Sequence, residues 1–276
     1  MRLQITHQTN YFYHDLAQRS VQYIRMTPLS LAHQTIEYWQ VMLPKVAKSQ
    51  VDGFGNQWLV LSRSEPHDNL QMQASGVVNI NPDTPYLADD PKVPYLLYTV
   101  PTPLTACSAA MRQFYENHLT DYHHSDSSTK RALLEQFAAA LLNHVPYYQN
   151  VTHVGTTAPE AFELAQGVCQ DHSHIFIACL RDLQIPARYI SGYLYEPMGQ
   201  HMASHAWAEA WIDGHWYTFD VSNQHFTPQA HVYVAIGRDY LDAAPVRGVR
   251  LGGGYENLHS QVWIHQLNDE AAQSQP

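Results

Sequence analysis

Cys169, His205 and Asp220 supply, in that order along the chain, a thiol, an imidazole and a carboxylate, the three groups of nucleophilic acyl transfer. Gly167-Val168-Cys169-Gln170-Asp171 separates two helical patterns. Upstream, Thr157-Ala158-Pro159-Glu160 has the form of a capping box with Pro in the first turn, and Gly167 is placed to end that short helix. Downstream, Ile175, Phe176, Ala178, Cys179, Leu180 and Leu183 give the broad apolar surface of a buried helix, which Ile185-Pro186 stops. Cys169 is therefore expected at a helix N-terminus. No Ser, Thr, Asp or Asn stands immediately before it, and free N–H groups at a positive dipole end favour a thiolate. A cysteine in a helix is more often a small buried apolar residue, so the reading depends on what lies downstream.

After that helix the period changes from helical to two. Arg188 to Leu194 reads as a strand, and Pro197-Met198-Gly199 as a loop. Ser204 to Ile212 and His215 to Val221 then flank Asp213-Gly214, a strong hairpin signal. If Ile212 pairs with His215, Trp207 faces Asp220 and His205 faces Ser222. His205 and Asp220 then share one face as diagonal neighbours, about 7–8 Å apart at the backbone, a gap the two side chains can bridge. A slip of one residue would put them on opposite faces. In this register His205 takes the Cys169 proton or pairs with the thiolate, and Asp220 fixes the imidazole tautomer and stabilises its charged form. Taken singly, Asp220 also reads as a strand-end residue turning with Asn223. A zinc site of Cys169, His205 and Asp220 would use permitted ligands but lacks Cys-rich or His-rich spacing. Cys107 and Cys179 fall within helical patterns and are expected to be inert.

The rest of the chain must position these groups. Residues 1–80 read as an N-terminal β domain of sandwich type, with strands at Leu3 to Tyr13, Ile36 to Leu43, Trp58 to Leu61, Leu70 to Ala74 and Val77 to Ile80. The Asp52-Gly53-Phe54-Gly55-Asn56 cluster between them reads as a plain β-turn. Residues 81–103 carry Pro82, Pro85, Pro91, Pro94, Pro101 and Pro103 and read as a linker. Residues 104–276 read as an α+β catalytic domain. It opens with amphipathic helices over Leu104 to Leu119 and Ser128 to His144, with the polar His123-His124 loop between them and a frayed tail after Leu267.

Composition excludes several alternatives. The chain of 276 residues has a net charge of −10 and no Lys/Arg cluster, which argues against nucleic acid and anionic membranes as partners. Three cysteines without framework spacing fit a reducing compartment. The N-terminus opens into strand-like sequence without an apolar signal core, so the cytoplasm is the expected location. Neither an acidic calcium loop nor a multi-ligand cluster is visible, so no cofactor or metal is expected.

The sequence resembles the transglutaminase-like superfamily of papain-like fold. The matching blocks are Gly167 to Asp171, Ile185 to Tyr193, Ser204 to Glu209 and Trp216 to Asp220, within about Tyr147 to Gly254. His7, Thr9, Tyr11, Tyr13, Arg25 with Thr27-Pro28, the Asp52 to Asn56 cluster, His231 to Tyr240 and Pro245 to Gly248 resemble the bacterial branch that carries an N-terminal β domain. The resemblance implies Cys169 as nucleophile, His205 as base and Asp220 as third member. It also implies thiol-dependent acyl transfer on the amide or peptide bond of a peptide or protein, by hydrolysis first. Glutamine crosslinking and a non-enzymatic peptide-binding module are the alternatives.

Overall fold

Alternation of buried and exposed residues runs through β1 (Arg2–Ile24), a strand of 23 residues long enough to serve two halves of one sheet. Its partners are β2 (Gln34–Met42), β3 (Lys48–Val51), β4 (Gln57–Arg63) and β5 (His67–Ile80), in the order β2-β5-β1-β4-β3. Pairing of β1 with β5 shifts register between Phe12 and Ala17, and β4 takes over from Ser20 onward. The strand thus bends from one half-sheet into the other, as in a curled sandwich. The two strands expected over Leu70 to Ile80 are one strand, β5. The computed structural model describes residues 1–88, 93–197 and 204–267. Pro91, the Met198-Gly199 part of the expected loop and the tail after Leu267 lie outside the described residues.

A two-residue strand, β6 (Leu87–Ala88), leads into the helical part. The helices are α1 (Ala109–Leu119), α2 (Ser127–His144), α3 (Ala158–Leu164) and α4 (Cys169–Asp182). The second sheet follows with β7 (Ala187–Leu194), β8 (His205–Ile212), β9 (His215–Phe219) and β10 (His231–Gly237), ordered β10-β7-β8-β9-β6. A turn of helix, α5 (Tyr240–Ala243), ends this unit, and the chain closes with β11 (Val246–Gly252) and β12 (Glu256–Leu267). The architecture is α+β, a β-rich N-terminal part followed by a core of helices packed on a second sheet. Apolar residues of α1, α2, α3 and α4 pack on one face of the second sheet, with Phe137, Phe176 and Phe219 fully buried. Among the described residues, no helix is long and apolar enough to cross a membrane.

Two features depart from the sequence reading of 1–80, 81–103 and 104–276. β11 and β12 both pair with β1, so the end of the chain returns to the first sheet. Pairing across more than two hundred residues leaves no local mark in a sequence. The Pro-rich stretch, for its part, is woven into the second sheet. Leu87 and Ala88 pair with Trp216 and His215. Buried Arg181 of α4 reaches the Tyr98 carbonyl at 2.9 Å and the Thr105 hydroxyl at 2.8 Å. The same guanidinium holds the carbonyls of Ala187 at 2.8 Å and Arg238 at 2.7 Å, tying the stretch to β7 and to the end of β10. Burial lowers the Arg181 pKa only to about 10, so it stays charged and its bonds are charge-assisted.

The two sheets meet through Leu3, Ile5, Val78 and Ile80 of the first and Tyr193, Val232 and Val234 of the second. His7 joins them, with its ring nitrogens 3.0 Å from the Tyr193 hydroxyl and 3.0 Å from Ser260 Oγ. Gly192 sits where β7 is squeezed between neighbours, opposite His205 on β8 and Tyr233 on β10. An added Cβ would lie 1.9 Å from the Val232 carbonyl oxygen, a backbone atom that cannot rotate away. Gly192→Ala is expected to destabilise the protein by about 1–3 kcal/mol or more, the usual cost of overpacking. A thermal melt checks this; an unchanged midpoint would mean that β7 and β10 separate at no cost.

Candidate active site

Cys169 is the first residue of α4, and Val168 before it supplies no side-chain cap. The capping box of α3 forms as expected, Thr157 N–H donating to Glu160 at 2.8 Å. The helix ends on Ala165, at a left-handed φ of 51°, and not on Gly167. Gly167 instead bridges to Tyr147, its carbonyl accepting from the Tyr148 N–H at 2.8 Å. A Cβ there would lie 2.8 Å from Asp171 Cβ. Gly167 thus leaves room for Asp171 to turn back and accept from the Val168 N–H at 2.8 Å and the Thr152 hydroxyl at 2.6 Å. Burial pushes the Asp171 carboxyl above its ordinary pKa, against the two hydrogen bonds that favour its charged form. His172 is buried and neutral, pulled down by desolvation, with Nε2 on the Val145 carbonyl at 2.7 Å and Nδ1 2.8 Å from Ser222 Oγ.

The hairpin has the register in which His205 and Asp220 share a face. Ile212 pairs with His215 and the ladder runs unbroken to Ala208 and Phe219. Asp213 and Gly214 both have positive φ, 44° and 105°, as this tight turn requires. Asp220 leaves the ladder at its end and bridges to His225. Its Oδ2 lies 2.7 Å from His205 Nε2. The Cys169 sulfur lies near enough to the same imidazole to help raise its pKa. With Nε2 engaged by Asp220, the ring nitrogen left for sulfur is Nδ1. Thus Cys169, His205 and Asp220 come together, from a helix start, a strand and the end of the next strand.

The electrostatics follow from burial. Desolvation alone would lower the His205 pKa. The Asp220 charge and hydrogen bond outweigh it, the Cys169 sulfur adds to the effect, and His205 is pushed up to about 10. Burial likewise works to raise Asp220, yet His205 and His231 hold it well below the usual carboxylate range. An uncompensated buried charge costs about 3–5 kcal/mol, and hydrogen bonds to charged groups return about 1.5–3 kcal/mol each. Asp220 has enough of them to stay ionised. Beyond His205, Oδ2 accepts from His231 Nε2 at 3.1 Å and Asn223 Nδ2 at 3.0 Å, and Oδ1 accepts from the Asn223 N–H at 3.2 Å. The turn with Asn223 and the pairing with His205 are therefore both present.

His231 went unassigned in the sequence reading. A histidine heading an apolar strand was the available signal, but only tertiary register brings it to Asp220. His205, Asp220 and His231 offer three ligand atoms within 4.8 Å of one another. A metal would replace the two N–H···O contacts, and it would leave a protonated Nδ1 on His231, a buried nitrogen with no partner among the described residues. The donor set fits hydrogen bonding better than metal binding. Cys179 is buried, as an inert thiol should be, while half-buried Cys107 lies beside it with a pKa lowered by the Cys179 hydrogen bond. The expectation of inertness thus holds less firmly for Cys107.

The model of the transglutaminase-like superfamily matches residues 117–221, a span that contains Cys169, His205 and Asp220. The model of the bacterial transglutaminase-like N-terminal region matches residues 3–79. The two matched spans thus carry the pattern of the transglutaminase-like superfamily and of its bacterial N-terminal region. The chain is similar along nearly its whole length to an uncharacterised protein of Mycobacterium leprae, 28% identical over 289 residues covering 96% of this chain and 99% of the relative. An uncharacterised protein of Mycobacterium tuberculosis is 29% identical over 273 residues, covering 90% of this chain and 87% of the relative. The crystal structure of a cysteine protease candidate from Cytophaga hutchinsonii superposes with a TM-score of 0.74 at 21% identity, covering 97% of this chain and 92% of that one. That likeness establishes a shared transglutaminase-like fold.

Since Asp220 is what raises His205, Asp220→Asn should drop the His205 titration from about 10 to its ordinary value of 6.5 or lower. The sign for stability follows. A raised folded pKa stabilises fully below the unfolded value and is lost as pH rises through the folded one. This contribution should therefore fade between about pH 6.5 and 10 in the natural protein and be missing in Asp220→Asn. Histidine Cε1–H NMR reads the midpoint; an unmoved His205 would remove Asp220 as the cause.

Proposed function

We propose that the chain is a thiol-dependent acyl-transfer enzyme acting on an amide or peptide bond of a peptide or protein, with hydrolysis as the first reaction. The observation that carries this is a helix-start thiol, Cys169, placed beside an imidazole that a buried carboxylate holds at 2.7 Å. Cys169 is the nucleophile, His205 the base and acid, and Asp220 the residue that orients and charges His205.

With the proton of the pair held on His205, the Cys169 sulfur forms a bond to the substrate carbonyl carbon. The Cys169 backbone N–H at the positive end of α4 is the candidate donor to the oxyanion. As the C–N bond breaks, the amine leaves with the His205 proton. Water then attacks the thioester and passes a proton to His205; the C–S bond breaks, the acid departs and the Cys169 sulfur is restored beside protonated His205. An amine in place of water gives crosslinking by the same steps. None of these steps uses a metal or cofactor. Overall acidity argues against nucleic acid or an anionic membrane as the partner. All three thiols are unpaired, in keeping with the cytoplasmic location proposed.

With a panel of peptide amides, amine release is expected from the natural protein and none from Cys169→Ala. Asp220→Asn should keep the fold and lose about 10⁴-fold in kcat, as when a triad carboxylate becomes an amide. EDTA should leave the rate unchanged; loss on chelation and recovery with zinc or calcium would defeat the metal-free mechanism. Added hydroxylamine partitions the acyl group, and a hydroxamate dominant at low amine concentration would favour transfer over hydrolysis. Peptide binding without any amine release would favour the binding module.

A further inference from the structure

Strand β10 is at the edge of the second sheet, yet its outer edge is not free. Two fully buried side-chain amides from the first sheet occupy it. Gln34 accepts from the Tyr233 N–H at 2.8 Å and donates to the Tyr233 carbonyl at 3.0 Å and the Leu29 carbonyl at 2.6 Å. Asn56 accepts from the Ile236 N–H at 2.8 Å and donates to the Ile236 carbonyl at 2.7 Å and Asp52 Oδ2 at 3.0 Å. Each amide copies the paired donor and acceptor of a neighbouring strand. The clamped residues are three apart because the β10–β7 ladder is irregular between Tyr233 and Ala235, which turns both outward. The Asp52 to Asn56 cluster is thus more than the plain turn expected. Asp52 is itself held by the Phe54 and Asn56 N–H groups at 3.0 Å and by Arg25 at 3.2 Å.

What β10 delivers at its first residue is His231. Its Nε2 shares Asp220 Oδ2 with His205. It is fully buried, and burial keeps its ring neutral. A neutral ring whose Nδ1 has no partner, facing a carboxylate through Nε2, carries its hydrogen on Nε2 and donates it.

We propose that His231 is a positioning residue for the acyl-transfer triad, and that Asn56 and Gln34 of the first sheet set its place by clamping β10. This deepens the function proposed above and rests on it. It assigns the N-terminal sheet a part in the active site without any contact to substrate. The titratable groups around the Asp220–His231 pair are His205 on β8, His225 in the following turn, His172 on α4 and His33 from the first sheet. Cys169 lies beyond His205.

The test uses the full chain and iodoacetamide, which needs no knowledge of substrate. The alkylation rate of Cys169 is followed across pH by peptide mass spectrometry, with buried Cys179 as internal control. His231→Phe removes the donor; His231→Gln can replace it, its amide nitrogen reaching about where Nε2 lies. Losing a hydrogen bond to a charged group should slow alkylation near pH 6 by about tenfold or more. Because His231 helps hold Asp220 below its ordinary pKa, its loss should also move the acid-side fall-off to higher pH. His231→Gln should restore both. Asn56→Leu, which changes no group of the triad, should cause a smaller loss of the same kind. The double variant should be no slower than His231→Phe, since both act through one path. His231→Phe behaving like the natural protein, His231→Gln failing to rescue, or losses that multiply in the double variant would each overturn the inference. If His231→Phe does not fold, Asn56→Leu still decides: an acid limb that stays put overturns it. Should Cys169 in the natural protein label no faster than Cys179, the acyl-transfer reading itself has failed.

Discussion

A single buried carboxylate oxygen governs the site. Asp220 Oδ2 has no access to water and satisfies its charge with three donors from three places: His205 on β8, Asn223 in the following turn and His231 on β10. Moving any of these elements leaves an unmet charge in an apolar setting, so the cost of misplacement is large and directional. The same charge keeps His205 protonated beside the Cys169 sulfur. The constraint that holds the sheet together is thereby the one that keeps a proton on His205.

Polar groups elsewhere in the interior follow the same logic. Arg188 and Glu209, paired across β7 and β8 at 2.6 Å, are buried, and Glu209 also accepts from the Tyr233 hydroxyl at 2.6 Å. The Arg188 guanidinium lies 4.1 Å from the centre of the Trp216 ring. These contacts join β10, β7, β8 and β9, so that the strand order around His205 is specified by charge as well as by apolar packing. Fully satisfied networks of this kind fix one register where an apolar core tolerates several.

The site was legible where its determinants are local. Asp213-Gly214 demands positive φ at both positions, and that alone fixes which residues of β8 and β9 oppose each other, bringing His205 onto the face of Asp220. The helix start at Cys169 was legible from the apolar surface of α4 and the missing cap. What failed to show was everything set by distant pairing. Nothing near residues 246–267 says that these strands complete the sheet of β1, because their partner lies at the other end of the chain. Nothing near Gly167 says that Ala165 ends the preceding helix. His231 and Asn56 read as a strand residue and a turn residue; the strand order of the second sheet brings His231 to Asp220, and the docking of the first sheet brings Asn56 to Ile236.

The central claim is that the Cys169 sulfur becomes covalently acylated by an amide substrate. Acid quenching of a single turnover with a peptide amide, followed by peptide mass spectrometry, looks for that species itself. The account predicts an adduct of the mass of the acyl group on Cys169. The adduct should be lost on treatment with neutral hydroxylamine and should fail to form in His205→Ala. Turnover by the natural protein with an unmodified Cys169 at every quench time, or turnover that survives in Cys169→Ala, would contradict it.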